Sequence, residues 1–91
     1  MFLVLRTKKF RKKYRKIIKN SKFNEDFFFE IIQNIATGST LNKTLRDHPL
    51  SGDMKGRREC HIYPDILLIY KKFEDENLVV LHDIGSHSDL F

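Results

Sequence analysis

Apolar residues recur along this chain with two spacings, a helical one in the first half and an alternating or unbroken one in the second. The first stripe has the i, i+4, i+7, i+8 spacing of one helix face and consists of Phe10, Tyr14, Ile17 and Ile18. Thr7 precedes it as an N-cap, and Asn20-Ser21 indicates where the helix stops. The pattern predicts an amphipathic helix between these two points.

A second helical stripe follows a short polar break and consists of Phe28, Ile31, Ile32 and Ile35. Asn24 is a suitable N-cap, and the acidic Glu25 and Asp26 favour the positive end of a helix. Gly38 fits the left-handed position just beyond a last helical turn. The two stripes therefore predict a helical hairpin that covers one face of a sheet.

Four segments carry strand signals. Residues 1–5 are short and apolar, residues 66–70 form an unbroken apolar run, and residues 78–81 continue as a strand toward Ile84. Alternation in residues 57–63 puts one set of side chains on each side, Arg58, Cys60 and Ile62 opposite Glu59, His61 and Tyr63. We expect the run at 66–70 to be buried on both faces.

The order of these elements, β-α-α-β-β-β, predicts an α+β fold in a single domain over residues 1–91. Two helices pack on a small, mainly antiparallel four-stranded sheet. The last three strands form a meander because their connections are too short for any crossover. The pattern leaves the position of the first strand in the sheet open, and it predicts a short tail after Gly85-Ser86.

Positive charge is concentrated in one segment. Residues 6–22 contain ten Lys or Arg and no acid, whereas the rest of the chain holds seven basic and twelve acidic residues. A basic segment of this kind favours a polyanion such as nucleic acid, with an affinity that falls as salt rises. The alternatives are a solvated helix face that confers solubility and contact with a membrane surface.

The cellular location follows from two weaker features. Cys60 is the single cysteine, so no disulfide can form within the chain. The opening MFLVL is far shorter than the ~20 apolar residues that cross a bilayer, and it does not resemble a signal peptide. We therefore expect a cytoplasmic protein with no membrane contact.

Four residues that can transfer protons lie at the ends of predicted elements: His48, His61, Asp65 and His87. Imidazole gives or takes a proton near neutral pH, so such a set suits RNA cleavage without a metal. One group would remove the 2′-hydroxyl proton, and another would protonate the leaving 5′-oxygen. Cations on the adjoining loop and strand, Lys55, Arg57 and Arg58, could stabilise the phosphate.

The same residues have other interpretations. Each histidine taken singly is more simply a surface or capping residue, and Asp65 after Pro64 is ordinary turn chemistry. Zinc binding is disfavoured because no HxxxH or CxxC pair occurs, and Cys60 should face away from His61. A serine hydrolase is disfavoured because the sequence has no nucleophile elbow.

Two segments together carry a family resemblance. DHPLSGDMKGRRECHIYPDILLIY (residues 47–70) and GSHSDLF (residues 85–91) resemble the YafQ-type toxins of the RelE/ParE toxin–antitoxin superfamily. The resemblance implies a RelE-like fold and a ribosome-dependent mRNA endoribonuclease that inhibits translation. It also implies a cognate antitoxin as partner, ribosome and mRNA as targets, and no cofactor.

The resemblance assigns roles to individual positions. It puts the family's active site on His48, His61, Asp65 and His87, and it matches Arg58 and Phe91 to a family arginine and aromatic residue. His87 is then the proton donor, Asp65 or His48 the base, and His61 an orienting group. In some members an arginine stands where this chain has Asp83, so Arg57 or Arg58 would take over its phosphate contact.

On this interpretation the basic helix binds ribosomal RNA, through Lys8, Lys9, Arg11, Lys12, Lys13, Arg15, Lys16 and Lys19. The alternative is a non-catalytic protein of the same fold that binds a protein target or RNA. A pure binder has no need of several titratable groups at one edge, which favours the enzyme.

Overall fold

One mixed sheet of five strands organises the computed structural model, which describes residues 1–91. In chain order the elements are β1 (Leu3–Arg6), α1 (Lys8–Ile17), α2 (Glu25–Thr37), β2 (His48–Pro49), β3 (Arg58–Tyr63), β4 (Ile66–Phe73), β5 (Leu78–Gly85) and α3 (His87–Leu90). The strands lie in the order β1-β5-β4-β3-β2. The β1–β5 pair is parallel, and the other pairs are antiparallel.

The predicted α+β fold, with its helical hairpin and its C-terminal meander, is confirmed; two details differ, and the position of the first strand, which the sequence leaves open, is defined. The sheet has a fifth strand, because His48 pairs with Glu59 and Pro49 with Arg58. The first strand lies at the sheet edge beside β5. The expected tail is the short helix α3. A two-residue strand carries no periodicity, so only the paired structure reveals it.

The helix caps follow from local chemistry. Thr7 Oγ1 accepts a hydrogen bond from the Phe10 amide at 3.0 Å, and Asn24 Oδ1 accepts one from Phe27 at 3.1 Å. Gly38 ends α2 with φ of 76°, in the left-handed region. All three predicted caps are confirmed.

The predicted end of α1 is too late. The helix stops at Ile17, three residues before Asn20. The Asn20 side chain accepts a hydrogen bond from the Lys22 amide at 2.9 Å. Such a local side-chain bond to the backbone competes with helix continuation.

The sheet buries both of its faces, and β4 lies at the centre of each core. On the helix face, defined as the face that α1 and α2 cover, Leu68 and Tyr70 pack with Phe10, Phe28 and Ile35. The opposite face is called the outer face. Its smaller core consists of Leu67, Ile69 and Leu90, with Leu50 and Met54 against them. The prediction that residues 66–70 are buried on both sides is confirmed for residues 67–70 of β4. None of the three helices is both long and apolar enough to cross a membrane.

A β-bulge changes the alternation at the end of β3. The register with β4 shifts between His61 and Tyr63. Both Ile62 and Tyr63 therefore lie against the helix-side core, while the residues before the bulge keep their predicted sides. The prediction that Tyr63 shares the side of His61 is wrong. Its hydroxyl instead accepts a hydrogen bond from the Asn24 amide at 3.0 Å.

Thr7 links α1 to the sheet, which gives a test of this fold. Its hydroxyl donates to the His82 carbonyl at 2.9 Å while capping the Phe10 amide. Thr7→Ala should lower the free energy of unfolding by about 1–2 kcal/mol, because a cap and a second hydrogen bond are removed together. Urea denaturation monitored by circular dichroism measures the change. Thr7→Ser keeps the hydroxyl and should be much less destabilised; equal destabilisation of both variants would contradict this role.

Candidate active site

Strand pairing aligns the candidate residues in two rows across the outer face. One row runs from His48 through Glu59 and Ile69 to Asp83. The next runs from His61 through Leu67 to Gly85. Strand neighbours lie about 4.8 Å apart, so His61 and Gly85 are separated by about 10 Å.

Helix α3 packs on the same face, and His87 is its first residue. His87 lies two residues after Gly85, and Leu90 of that helix packs on Leu67 and Ile69. The outer face therefore carries the elements that hold all three candidate histidines, which are distant in sequence.

A buried carboxylate lies between two of the imidazoles. Glu59 Oε1 is 3.3 Å from His61 Nε2 and 3.7 Å from His48 Nε2, and the two rings are 6.4 Å apart. Glu59 is only 4% exposed. A buried carboxylate needs polar partners, and here both candidates are histidines. Sequence reasoning put Glu59 on the side of His61 but did not recognise it as part of the site.

The ring of His48 has a defined tautomer. Its Nδ1 lies 2.7 Å from the carbonyl oxygen of Arg46, which can only accept, so Nδ1 carries the hydrogen. Nε2 is therefore the atom available for proton transfer. The His48 side chain is 48% exposed and that of His61 is 16% exposed. Of the two, His48 is the imidazole that a substrate reaches more easily.

The backbone at Arg46 supports this arrangement. Arg46 is one of two residues other than glycine with positive φ, at 49°. This left-handed conformation follows the 3₁₀ turn at Lys43–Leu45. It is a conformation that L side chains other than Asn and Asp seldom adopt. The energetic cost of this backbone conformation therefore falls on Arg46, whose carbonyl orients His48.

Reciprocal capping orients α3. Ser86 Oγ accepts from the Asp89 amide at 3.3 Å, and the Ser86 amide donates to Asp89 Oδ2 at 3.2 Å. Hydrogen bonding of the carboxyl to the Ser86 side chain and to the Ser86 backbone amide lowers the pKa of Asp89. A Cβ on Gly85 would meet Asp89 Cβ at 3.1 Å, so a larger residue at this position would press on the side chain that caps α3. His87 and the exposed Phe91 then pack with ring centroids 5.2 Å apart and ring planes tilted by 42°.

The structure does not bring Asp65 into this group. Asp65 is exposed in the β3–β4 turn and lines a cleft with Lys16 and Asn20 of the helical layer. His61 lines a different pocket. No hydrogen bond or ion pair joins Asp65 to either histidine, so the expected proximity of Asp65 and His61 does not produce a contact.

The Arg58 side chain points to the helix face, where its guanidinium is paired with Asp47. Its guanidinium donates to Asp47 from Nε at 3.3 Å and from Nη2 at 3.1 Å, and the Tyr70 hydroxyl donates to the same carboxylate. The hydrogen bond to Asp47 raises the pKa of Arg58, and burial is the main cause that raises the pKa of Tyr70. Arg58 thus braces the site from the opposite side of the sheet from His61.

The remaining predicted cations form no ion pair within the chain. Lys55 is exposed on the loop before β3, and Arg57 lines a groove with Met54, His82 and Asp83. Arg57 therefore fits the predicted phosphate contact better than Arg58 does.

Asp83 draws two cations of α1 to the outer face. It is buried and pairs with Lys13 at 2.9 Å and with Lys9 at 3.2 Å. Positive charge therefore surrounds the position where the resemblance implies an arginine in some relatives. Two of the eight predicted ribosome-binding residues are engaged within the chain.

Two other side chains, one buried and one partly buried, have shifted pKa values. Burial raises the pKa of the Cys60 thiol to about 12, which makes it a poor nucleophile. Burial also lowers the pKa of His82, whose Nε2 has no hydrogen-bond partner. No group of three or more His, Cys, Asp or Glu side chains is positioned to hold a metal ion.

The cap of α3 can be tested by amide hydrogen exchange. Ser86→Ala should speed exchange of the Asp89, Leu90 and Phe91 amides about fivefold, because losing an N-cap costs about 1 kcal/mol. Amides of β4 should be unaffected. Ser88→Ala is the matched control, since Ser88 caps no amide. Unchanged exchange in Ser86→Ala, or equal effects in both variants, would mean that the cap does not hold α3.

A family model and several known proteins with similar sequences or structures resemble this chain. Residues 3–91 match the family described as bacterial toxin of type II toxin-antitoxin system, YafQ. The mRNA interferase toxin YafQ of Escherichia coli K12 is 44% identical over 57 residues, covering 56% of this chain. The match spans 60% of the length of that relative.

Solved structures cover the chain more fully. A metal-bound toxin from Helicobacter pylori has a TM-score of 0.93 with 40% identity and complete coverage of both chains. In the E. coli DinJ-YafQ toxin-antitoxin complex, the similar chain has a TM-score of 0.85 with 26% identity, covering 99% of this chain and 97% of that one. Since the family match extends over nearly the whole sequence, this chain belongs to the YafQ family of type II toxin–antitoxin toxins.

Proposed function

We propose that this protein is a ribosome-dependent mRNA endoribonuclease that inhibits translation by metal-independent acid–base cleavage. The observation that carries the proposal is the imidazole pair around Glu59, on the same sheet face as α3 and His87. The name of the E. coli relatives, mRNA interferase toxin, supports the same reaction.

Base catalysis is proposed for His48. The side chain is half exposed, and its Nε2 takes the proton of the 2′-hydroxyl, whose oxygen then attacks the adjacent phosphorus. The Glu59 carboxylate lies 3.7 Å from the same Nε2 and stabilises the positive charge of the imidazolium that forms, while the Arg46 carbonyl holds the opposite nitrogen. His61 shares that carboxylate and orients it. This geometry favours His48 over Asp65 as the base.

Acid catalysis is proposed for His87. As the bond from phosphorus to the 5′-oxygen breaks, the imidazolium of His87 gives its proton to that oxygen. The products are a 2′,3′-cyclic phosphate and a free 5′-hydroxyl, so the proton removed by one histidine is balanced by the proton supplied by the other. Phe91 packs against His87 at a tilted angle and limits the motion of the imidazole ring. Lys55 and Arg57 are the proposed cations for the phosphate.

Partners follow from charge and family. The basic residues of α1 that make no ion pair within the chain are proposed to contact ribosomal RNA phosphates. Because E. coli YafQ is known in a complex with DinJ, we also propose a cognate antitoxin for this chain. Ribosomes and message would place the activity in the cytoplasm, and no cofactor is required.

Alanine variants test the assignment of roles. On a message translated with the purified protein, His48→Ala and His87→Ala should each lower cleavage about 100-fold or more, the contribution of a general acid or base. Asp65→Ala should lower cleavage by less than tenfold. Primer extension measures cleavage, and ribosome pelleting verifies that the variants still bind.

Two outcomes would contradict this proposal. Full cleavage by His87→Ala would remove it as the acid. An intact message with the wild-type protein bound to ribosomes would favour the non-catalytic binding alternative.

Charge reversal on α1 and the turn after it tests ribosome docking. Lys12, Lys16 and Lys19 are exposed and form no ion pair. Changing all three to Glu should weaken ribosome binding and reduce the slope of log affinity against log salt by about one for each phosphate that the protein no longer neutralises. Changing the same three to Gln should give a smaller effect. If both variants bind ribosomes like the wild type, these residues serve solubility only.

A further inference from the structure

A pocket of about 320 Å³ lies directly beside His61. Its walls come from the start of α2, the 3₁₀ turn before β2 and the end of β3. The residues that matter here are Phe27, Arg46, His61 and Tyr63. The volume is at the lower end of the range for ligand pockets, so it suits a small planar group.

The pocket is open because the strand at this edge of the sheet, β2, is only two residues long. Strand β2 pairs with β3 only at Arg58 and Glu59, so the edge of β3 from His61 onward has no strand beside it. The bulge then turns Tyr63 toward the helical layer while His61 stays on the outer face. A group that enters the pocket can therefore belong to a molecule lying across the outer face.

Aromatic surface lines the interior. Phe27 and Tyr63 approach with ring centroids 5.6 Å apart and planes at 42°. Tyr63 is fixed by its hydrogen bond from Asn24, whereas Phe27 is 37% exposed next to the buried Phe28. The exposed ring is available for stacking.

A cation completes the pocket and links it to His48. Arg46 lines the wall, and the carbonyl of the same residue accepts the hydrogen bond from His48 Nδ1. A planar group in the pocket thus lies between a residue that orients the proposed base and the ring of His61.

We propose that this pocket binds one nucleobase of the message, next to the phosphate that is cut. Unpaired bases in single-stranded RNA are bound by stacking on aromatic rings and on arginine, and sequence-tolerant stacking of this kind needs an exposed ring beside a cation. The inference rests on the proposed function, because the nucleotide backbone must lie on the outer face for its base to reach the pocket. By holding the neighbouring base, Phe27 then helps to fix which position of the message lies at His48.

Fluorescence on ribosomes tests the site. A message with 2′-O-methyl nucleotides resists cleavage, and 2-aminopurine is introduced at each position of the decoding site in turn. Stacking should quench the fluorophore at one position when the wild-type protein binds. Phe27→Ala should abolish that quenching. Phe29→Ala is the matched control, because it is 52% exposed on the same helix but lies outside the pocket.

Cleavage of an unmodified message gives the second measurement. Phe27→Ala should lower single-turnover cleavage about tenfold, within the range for loss of one stacked base, and Phe29→Ala should not change it. Phe27→Leu keeps apolar bulk without the ring and should resemble Phe27→Ala. If the alanine variant fails to fold, Phe27→Leu replaces it in both measurements.

The outcomes separate this proposal from the proposed function. Wild-type cleavage with no quenching, or with Phe27→Ala and Phe27→Leu as active as wild type, overturns the base pocket alone. If Phe27 variants cleave normally but bind the antitoxin more weakly, the pocket belongs to the protein partner and the proposal is wrong. Wild-type protein that binds but does not cleave refutes the function, while the quenching measurement still decides the pocket.

Discussion

Two-sided burial of β4 is the constraint on which the rest of the structure depends. The four consecutive side chains from Leu67 to Tyr70 are all apolar or aromatic and point alternately to the two faces, so both faces of the strand must be covered. The helical hairpin covers one face. The other can be covered only by what remains of the chain, which is the loop before β3 and the short α3. The contacts of this loop and of α3 with β4 therefore bury the strand and also hold the elements of the candidate site in place.

Electrostatics on the outer face follow from two buried acids. Glu59 and Asp83 lie in the same cross-strand row, one beside two histidines and the other beside two lysines. Each carboxylate compensates for its burial by holding positively charged or protonatable groups in place. The row thus has proton-transfer groups at one end and fixed cations at the other, a distribution that suits a phosphodiester backbone lying along it.

Much of this was predictable from sequence because the decisive signals are local. Caps at Thr7, Asn24 and Gly38, the helical stripes and the alternation of β3 depend on neighbouring residues. The features that were missed depend on pairing or packing. The two-residue β2 exists only through its partner strand, the bulge reverses Tyr63, and α3 is stable because Leu90 has a core to join. Glu59 was visible two residues before His61, but only burial shows that it is a shared acid.

The small size of α3 separates the loss of activity from the loss of fold. A four-residue helix held by one apolar side chain and one cap opens more easily than the layers it packs on. Leu50 and Met54 still cover part of the outer face of β4 when α3 is displaced. If His87 is the acid, single substitutions at Gly85 or Ser86 would therefore lower activity far more than they lower the melting temperature. A bacterium escaping such a toxin could accumulate inactive copies that still fold.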